Sequence, residues 1–239
     1  MTDNITWFQA QPRNGREAVL ILPASMPIAQ AQQFCEANLL GCVAGVCAEV
    51  NAAGLGEMIA QAFATGSARA LLHGLVSSKL NALPAAFPIN NARRLAAAHA
   101  VLLALDGLPG VHLHHFSPTN ELGAAHLNKT FESLAKPLRT RAAHEAFTPG
   151  ARQQRVELPD EVFGLMRWVA PVEGSPLMMQ RGRVVCLVNV SAEEQLVSLD
   201  WRALLGTRNA IRDLISGVRF NVHGPSLELQ PYQVLWATL

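Results

Sequence analysis

Glu49 stands directly after the apolar run Cys42–Ala48. An acid just past a strand end sits where an α/β barrel builds its active-site loops, which makes Glu49 a candidate catalytic acid. The competing reading is an ordinary exposed glutamate that opens a loop. His112 and His114 alternate on one face of a strand-like run while His115 points to the other, and His126 follows in a loop. Two imidazoles at i and i+2 with Glu121 nearby could ligate zinc. Such a site needs a third convergent ligand, so the histidines read better as polar lining of a cleft, and neither a metal nor another cofactor is expected. Asn120, Glu121, Asn128 and Lys129 are candidate substrate-binding residues, together with His112 and His114. Asn128 has a second reading, as the cap of a helix that begins Lys129-Thr-Phe-Glu132. Lys129 cannot grip a phosphate bidentately as arginine does, which weakens an anion site there. No Gly-rich phosphate loop, Ser-His-Asp elbow or heptad run is visible in the sequence.

The elements that must position these residues are legible as alternating runs. Glu17–Leu22 reads as a strand, Pro27–Asn38 as a helix with proline near its start, and Gly41–Val50 as a second strand. Gly54–Phe63 and Ser67–Leu80 have helical composition, and Ala85–Ile89 has the length of a short strand. The Ala/Leu-rich run Arg93–Leu105 reads as a buried helix that Gly107–Gly110 ends, with Val111–Phe116 as the strand after it. Such alternation predicts a parallel sheet covered by helices. A further helix is expected over Lys129–His144, with Arg139, Arg141 and His144 anchoring the C-terminal part of the chain through salt bridges and carbonyl contacts.

The texture changes at Phe147-Thr148-Pro149-Gly150. Beyond it Val162–Trp168, Val184–Val190, Gln195–Leu199, Ser226–Leu229 and Gln233–Ala237 are short β-like runs, with a hairpin turn at Gln180–Arg183. The predicted organisation is an α/β partial barrel-like domain over 1–150 and a C-terminal antiparallel β-sandwich domain over 151–239. A complete barrel needs roughly 250 residues, so the first part holds about half of one.

Composition excludes several classes of function. The chain has 239 residues, 50% of them apolar, with a mean hydropathy of +0.18, which supplies a substantial core. Charged residues are 15%, against roughly 25% in typical soluble domains. A net charge of +1 with scattered arginines argues against nucleic acid as a ligand. No run reaches the roughly 18 apolar residues of a membrane span, and the first residues lack the pattern of a secretory signal, so a cytoplasmic location is expected. Cys35, Cys42, Cys47 and Cys186 form no C-x-x-C pair and are expected to be reduced. The triplets at Asn4, Asn128 and Asn189 that match a glycosylation acceptor are then fortuitous.

The stretch Asn91–Phe147, with its Leu-Pro-Gly step, strand, Leu127-Asn128-Lys129 and basic helix, resembles the last barrel strand and final helices of family 13 glycoside hydrolases. The sucrose phosphorylase branch is the nearest likeness, and the β runs through Leu229–Trp236 are similar to the small domain that closes such enzymes. The resemblance implies α-glucosyl transfer or hydrolysis, with a nucleophilic Asp, a general acid and a sugar-binding Asp. The residues depart from that pattern. Glu17–Leu22 is followed by Pro-Ala-Ser rather than a Gly-x-Arg-x-Asp strand, and the nearest pattern to an Asn-His-Asp or Ser-His-Asp triplet is Ile89-Asn90-Asn91 or, in another register, Glu49-Val50-Asn51, neither of which supplies the Asp. Ser77–Leu83 could instead echo a Tyr-Glu-Leu-Asn segment, without supplying the missing Asp. The expectation is a truncated, degenerate relative without turnover, left with carbohydrate binding or an assembly role as a homo-oligomer or with a partner enzyme chain. The alternative is an active α-glucoside hydrolase or phosphorylase that uses Glu49 with Glu57, Glu121 or an acid from a partner chain.

Overall fold

A computed structural model of the chain describes residues 5–11, 18–22, 41–47, 55–69, 71, 80–84, 86–88, 90–106, 108–112, 115, 123–148, 151–169, 182–201, 204, 210–221 and 226–239. Among the described residues most strands lie in antiparallel pairs. The first sheet contains β1 (Ile5–Gln11), β2 (Ala18–Leu22), β3 (Gly41–Cys47), β4 (Leu80–Ala82) and β5 (Leu108–His112) in the order β3-β1-β2-β5-β4. β2 pairs with β5 in parallel, Ile21 opposite His112, and β4 pairs with β5 in parallel, Ala82 opposite Gly110. β1 runs antiparallel to both β2 and β3. The sheet is therefore mixed, where the alternation of runs predicts an all-parallel one. The departure is the strand ITWFQAQ, which inserts between two strands that share a direction.

Three helices accompany this sheet among the described residues: α1 (Leu55–Thr65), α2 (Ala92–Ala104) and α3 (Gly123–Ala143). α2 begins where Asn91 accepts hydrogen bonds through Oδ1 from the backbone N–H groups of Arg93 (3.0 Å) and Arg94 (3.1 Å). Its alanines let neighbours approach closely, and residues Ala97–Ala104 are all buried. Other boundaries differ from expectation. Leu-Pro-Gly lies inside β5 rather than before it, Leu80–Ala82 is a strand, and the residues described within Ala85–Ile89 form a turn rather than a strand. Of the run Ser67–Leu80, Ser67, Ala68 and Leu80 lie outside any α-helix. The segment Pro27–Asn38 lies outside the described residues.

The C-terminal strands are β6 (Arg152–Arg155), β7 (Val162–Trp168), β8 (Val184–Asn189), β9 (Gln195–Ser198), β10 (Ala210–Asp213), β11 (Arg219–Asn221), β12 (Ser226–Leu229) and β13 (Val234–Thr238). They form an antiparallel sheet in the order β11-β10-β13-β8-β7-β6, with β9 and β12 as a separate antiparallel pair. The alternation of side chains decides what each face covers. Along β8, Val184, Cys186 and Val188 point into a core shared with α1, α2 and Phe147, while Val185 and Leu187 point into a second core with Val197, Trp201 and Leu229. Every residue of β8 is buried, so this central strand carries apolar side chains on both faces. The first core runs without interruption from Leu55 to Trp236. Phe147 of the 3-10 turn Glu145–Phe147 stacks on Trp236, with ring centroids 4.7 Å apart.

Candidate functional site

Because β1 is antiparallel to both of its neighbours, β3, β2, β5 and β4 all run the same way. Their carboxyl ends meet at one edge of the sheet, the edge at which α/β folds place ligands. His112 is the last residue of β5 and stands on that edge by its backbone. β3 ends at the same edge with Cys47, two residues before Glu49; Glu49, His114, Asn120 and Glu121 themselves lie outside the described residues. Asn128 and Lys129 lie within α3, which begins at Gly123. The helix therefore starts five residues ahead of Asn128, and the capping role read from the sequence is corrected, as is the placing of His126 in a loop.

Two packing features shape the edge. Gly56 of α1 meets the carbonyl of Ala82, the last residue of β4, so closely that a Cβ there would collide with it. Beside it lies a cluster of rings that the sequence reading missed. His115 is fully buried, and its Nε2 lies 3.1 Å from the carbonyl oxygen of Pro84. Its ring meets His99 edge-on at 5.4 Å and Phe87 at 6.4 Å. Phe87 meets Phe63 of α1 at 6.2 Å, and the Arg94 guanidinium lies 5.7 Å above Phe87 while Nη2 donates to the Phe63 carbonyl at 2.8 Å. His99 and His115 are thus sealed from solvent and unsuited to exchanging a proton with a substrate. The only sequence cue was a histidine in the apolar run Arg93–Leu105, which periodicity reads as core. Among the described residues no group of three His, Cys, Asp or Glu side chains could hold a metal ion.

The opposite end of β5 is structural. Arg167 of β7 is fully buried and donates through Nε to the Ala146 carbonyl (2.8 Å) and through Nη1 to the Ala104 carbonyl (3.0 Å) and Gln153 Oε1 (3.1 Å). Its Nη2 forms an ion pair with Asp106 at 3.7 Å, and its guanidinium lies 5.5 Å from the Phe147 ring. Arg141 of α3 donates to the carbonyls of Leu103 and Leu105. Two cations from other elements thus satisfy the last carbonyls of α2, a helix with no basic residue in its own last turn. Burial, reinforced by nearby Arg167, pushes Arg141 down to about 10, so it remains a cation near neutrality. Burial also lowers Arg167 and raises the Cys186 thiol beneath them. Arg141 makes carbonyl contacts, but to the end of α2 rather than to the C-terminal strands it was expected to anchor, and Arg139 is exposed.

Comparison with known proteins gives this geometry a family context. Residues 172–237 match the family described as D-apionate lactonase, C-terminal immunoglobulin-like domain. A glucosylglycerate phosphorylase from Spirochaeta thermophila is 28% identical over 183 residues, covering 62% of this chain and 30% of that protein. The structure of AmyP in complex with maltose superposes with a TM-score of 0.57 at 12% identity, over 77% of this chain and 48% of that one. An α-amylase from Geobacillus thermoleovorans complexed with acarbose gives 0.55 at 15% identity, over 77% and 46%. The fold of the chain is thus similar to that of α-amylases, and the glucosylglycerate phosphorylase is a partial relative. The chain spans less than half of either solved enzyme and about a third of the phosphorylase. The likeness to family 13 and its phosphorylase branch read from Asn91–Phe147 thus stands. No helix among the described residues is long and apolar enough to cross a membrane.

Proposed function

We propose that this chain is the closing portion of an amylase-like scaffold, a partial barrel over residues 1–150 with a β-sandwich domain over 151–239. We read it as a carbohydrate-binding or assembly module without glycoside turnover of its own. One observation carries this reading. The three residues after β2, β3, β4 and β5 are Pro23-Ala24-Ser25, Ala48-Glu49-Val50, Leu83-Pro84-Ala85 and Leu113-His114-His115, and Glu49 is the single carboxylate among them. A retaining site needs a nucleophilic carboxylate and an acid about 5 Å apart, with a further acid for the sugar hydroxyls in this family. His112, His114, Asn120, Glu121, Asn128 and Lys129 are the side chains proposed to meet a sugar. The maltose held by AmyP and the name of the phosphorylase relative support an α-glucoside as the ligand. A cytoplasmic location, and assembly as a homo-oligomer or with an enzyme chain, belong to the same proposal.

The direction of β3 favours one alternative, an active α-glucosidase or phosphorylase, because it brings the carboxyl end before Glu49 to the edge that His112 shares. Titration calorimetry of the purified chain with maltose and glucosylglycerate tests the binding reading. Saturable heat is expected from at least one sugar, weakened by His112→Ala; no heat with either at millimolar concentrations would remove carbohydrate binding.

A further inference from the structure

The turn Gln230–Gln233 between β12 and β13 holds Tyr232 at φ 57°, the left-handed region. The Gln233 N–H donates to the Gln230 carbonyl at 2.9 Å, and Pro231 precedes Tyr232, which is the pattern of a type II turn. That position favours glycine, and a tyrosine there carries backbone strain. Two further hydrogen bonds hold the turn, one from β8 and one within it. The Asn189 N–H donates to the Gln233 carbonyl at 3.0 Å, and the Gln230 N–H donates to Gln233 Oε1 at 2.9 Å.

The strained backbone aims the ring out of the β half onto α1, where it stacks on Phe63 at 6.2 Å with the planes 25° apart. From Phe63 the contacts continue through Phe87 to His115, just beyond the carboxyl end of β5. Arg94 clamps the middle of this chain through the Phe63 carbonyl and the Phe87 ring. We propose that Tyr232 is a positioning residue: its ring, pressed onto Phe63 by the left-handed turn, fixes Phe87 and, through it, the buried His115 just beyond β5. The ligand role of that edge rests on the function proposed above; the coupling of Tyr232 to His115 does not. A contiguous row of packed rings is the kind of route by which one element biases another, and it requires a direct coupling measurement.

The test is an NMR experiment on the full chain labelled at histidine, with the His115 ring signals assigned by their loss in His115→Gln. Tyr232→Ala is expected to shift those signals, and Tyr232→Phe, which keeps the ring, to leave them at the wild-type positions. A tyrosine that merely stabilised its own turn would lower Tm and leave His115 unmoved, which would overturn the proposal. Identical shifts in Tyr232→Phe and Tyr232→Ala would overturn it as well. Should Tyr232→Ala fail to fold, Tyr232→Leu, which retains apolar volume without a ring, is read in its place. Failure of maltose and glucosylglycerate to bind the wild-type chain would remove the ligand reading and leave the His115 shift to decide the coupling.

Discussion

Arg167 shows how a single side chain can be decisive and yet unreadable from the sequence. Val162–Trp168 is a clear β pattern, and alternation puts Arg167 on the same face as Phe163 and Leu165, where a charge has no place. The reason it is tolerated is tertiary: three acceptors converge on it from Ala104, Ala146 and Gln153. Removing the guanidinium would strand those acceptors in the core. Arg167→Ala is therefore expected to lower the unfolding free energy by about 3 kcal/mol in urea titration, and Arg167→Lys, which keeps the charge without the fork, to recover only part of it. A loss below about 0.5 kcal/mol in Arg167→Ala would contradict this role. Asn189 was a similar case. Its sequence context matches a glycosylation acceptor, but it is fully buried and its Nδ2 donates to the carbonyls of Glu193, Leu229 and Gln230. Of the candidate site residues, His112 reads in the sequence as lying inside a strand Val111–Phe116 but ends β5, and the burial of His99 and His115 depends on elements distant in sequence.

Elements were legible in proportion to their apolar contrast. β7, β8, β9, β12 and β13 lie within a residue or so of the runs seen in the sequence, because each carries a strong alternating or continuous apolar signal between turns. β6 (RQQR) was missed because it is a polar strand at the sheet edge, and β11 because it has only three residues. The sequence signal starts α3 only at Lys129 because its first turns, Gly123–Asn128, lack acidic residues. α2 was placed to within a residue at each end, and its start has a mechanism in the Asn91 cap. Asn91→Ala is expected to cost about 1 kcal/mol, seen as a lowered urea midpoint with an unchanged m-value. No change in the midpoint would mean that packing alone holds that end of the helix.

At the scale of the molecule, the composition break at Phe147–Gly150 suggests two parts, and the packing joins them. Phe163, Leu165, Cys186 and Trp236 share one core with Leu95, Val101 and Leu103, and Arg167 bridges the same seam. Sequence patterning reports which face of an element is apolar and is silent on which partner covers it, so this continuity was not legible. Calorimetric unfolding is expected to show a single transition with equal calorimetric and van't Hoff enthalpies; two separated transitions would show that the halves melt independently. The amylase-like fold is present, and the function proposed for it is that of a module without glycoside turnover. The direct measurement is turnover by the purified chain incubated with sucrose and with an activated α-glucoside, each with and without phosphate. No glucose or glucose phosphate above a protein-free control is predicted, and product formation that Glu49→Gln abolishes would contradict the claim.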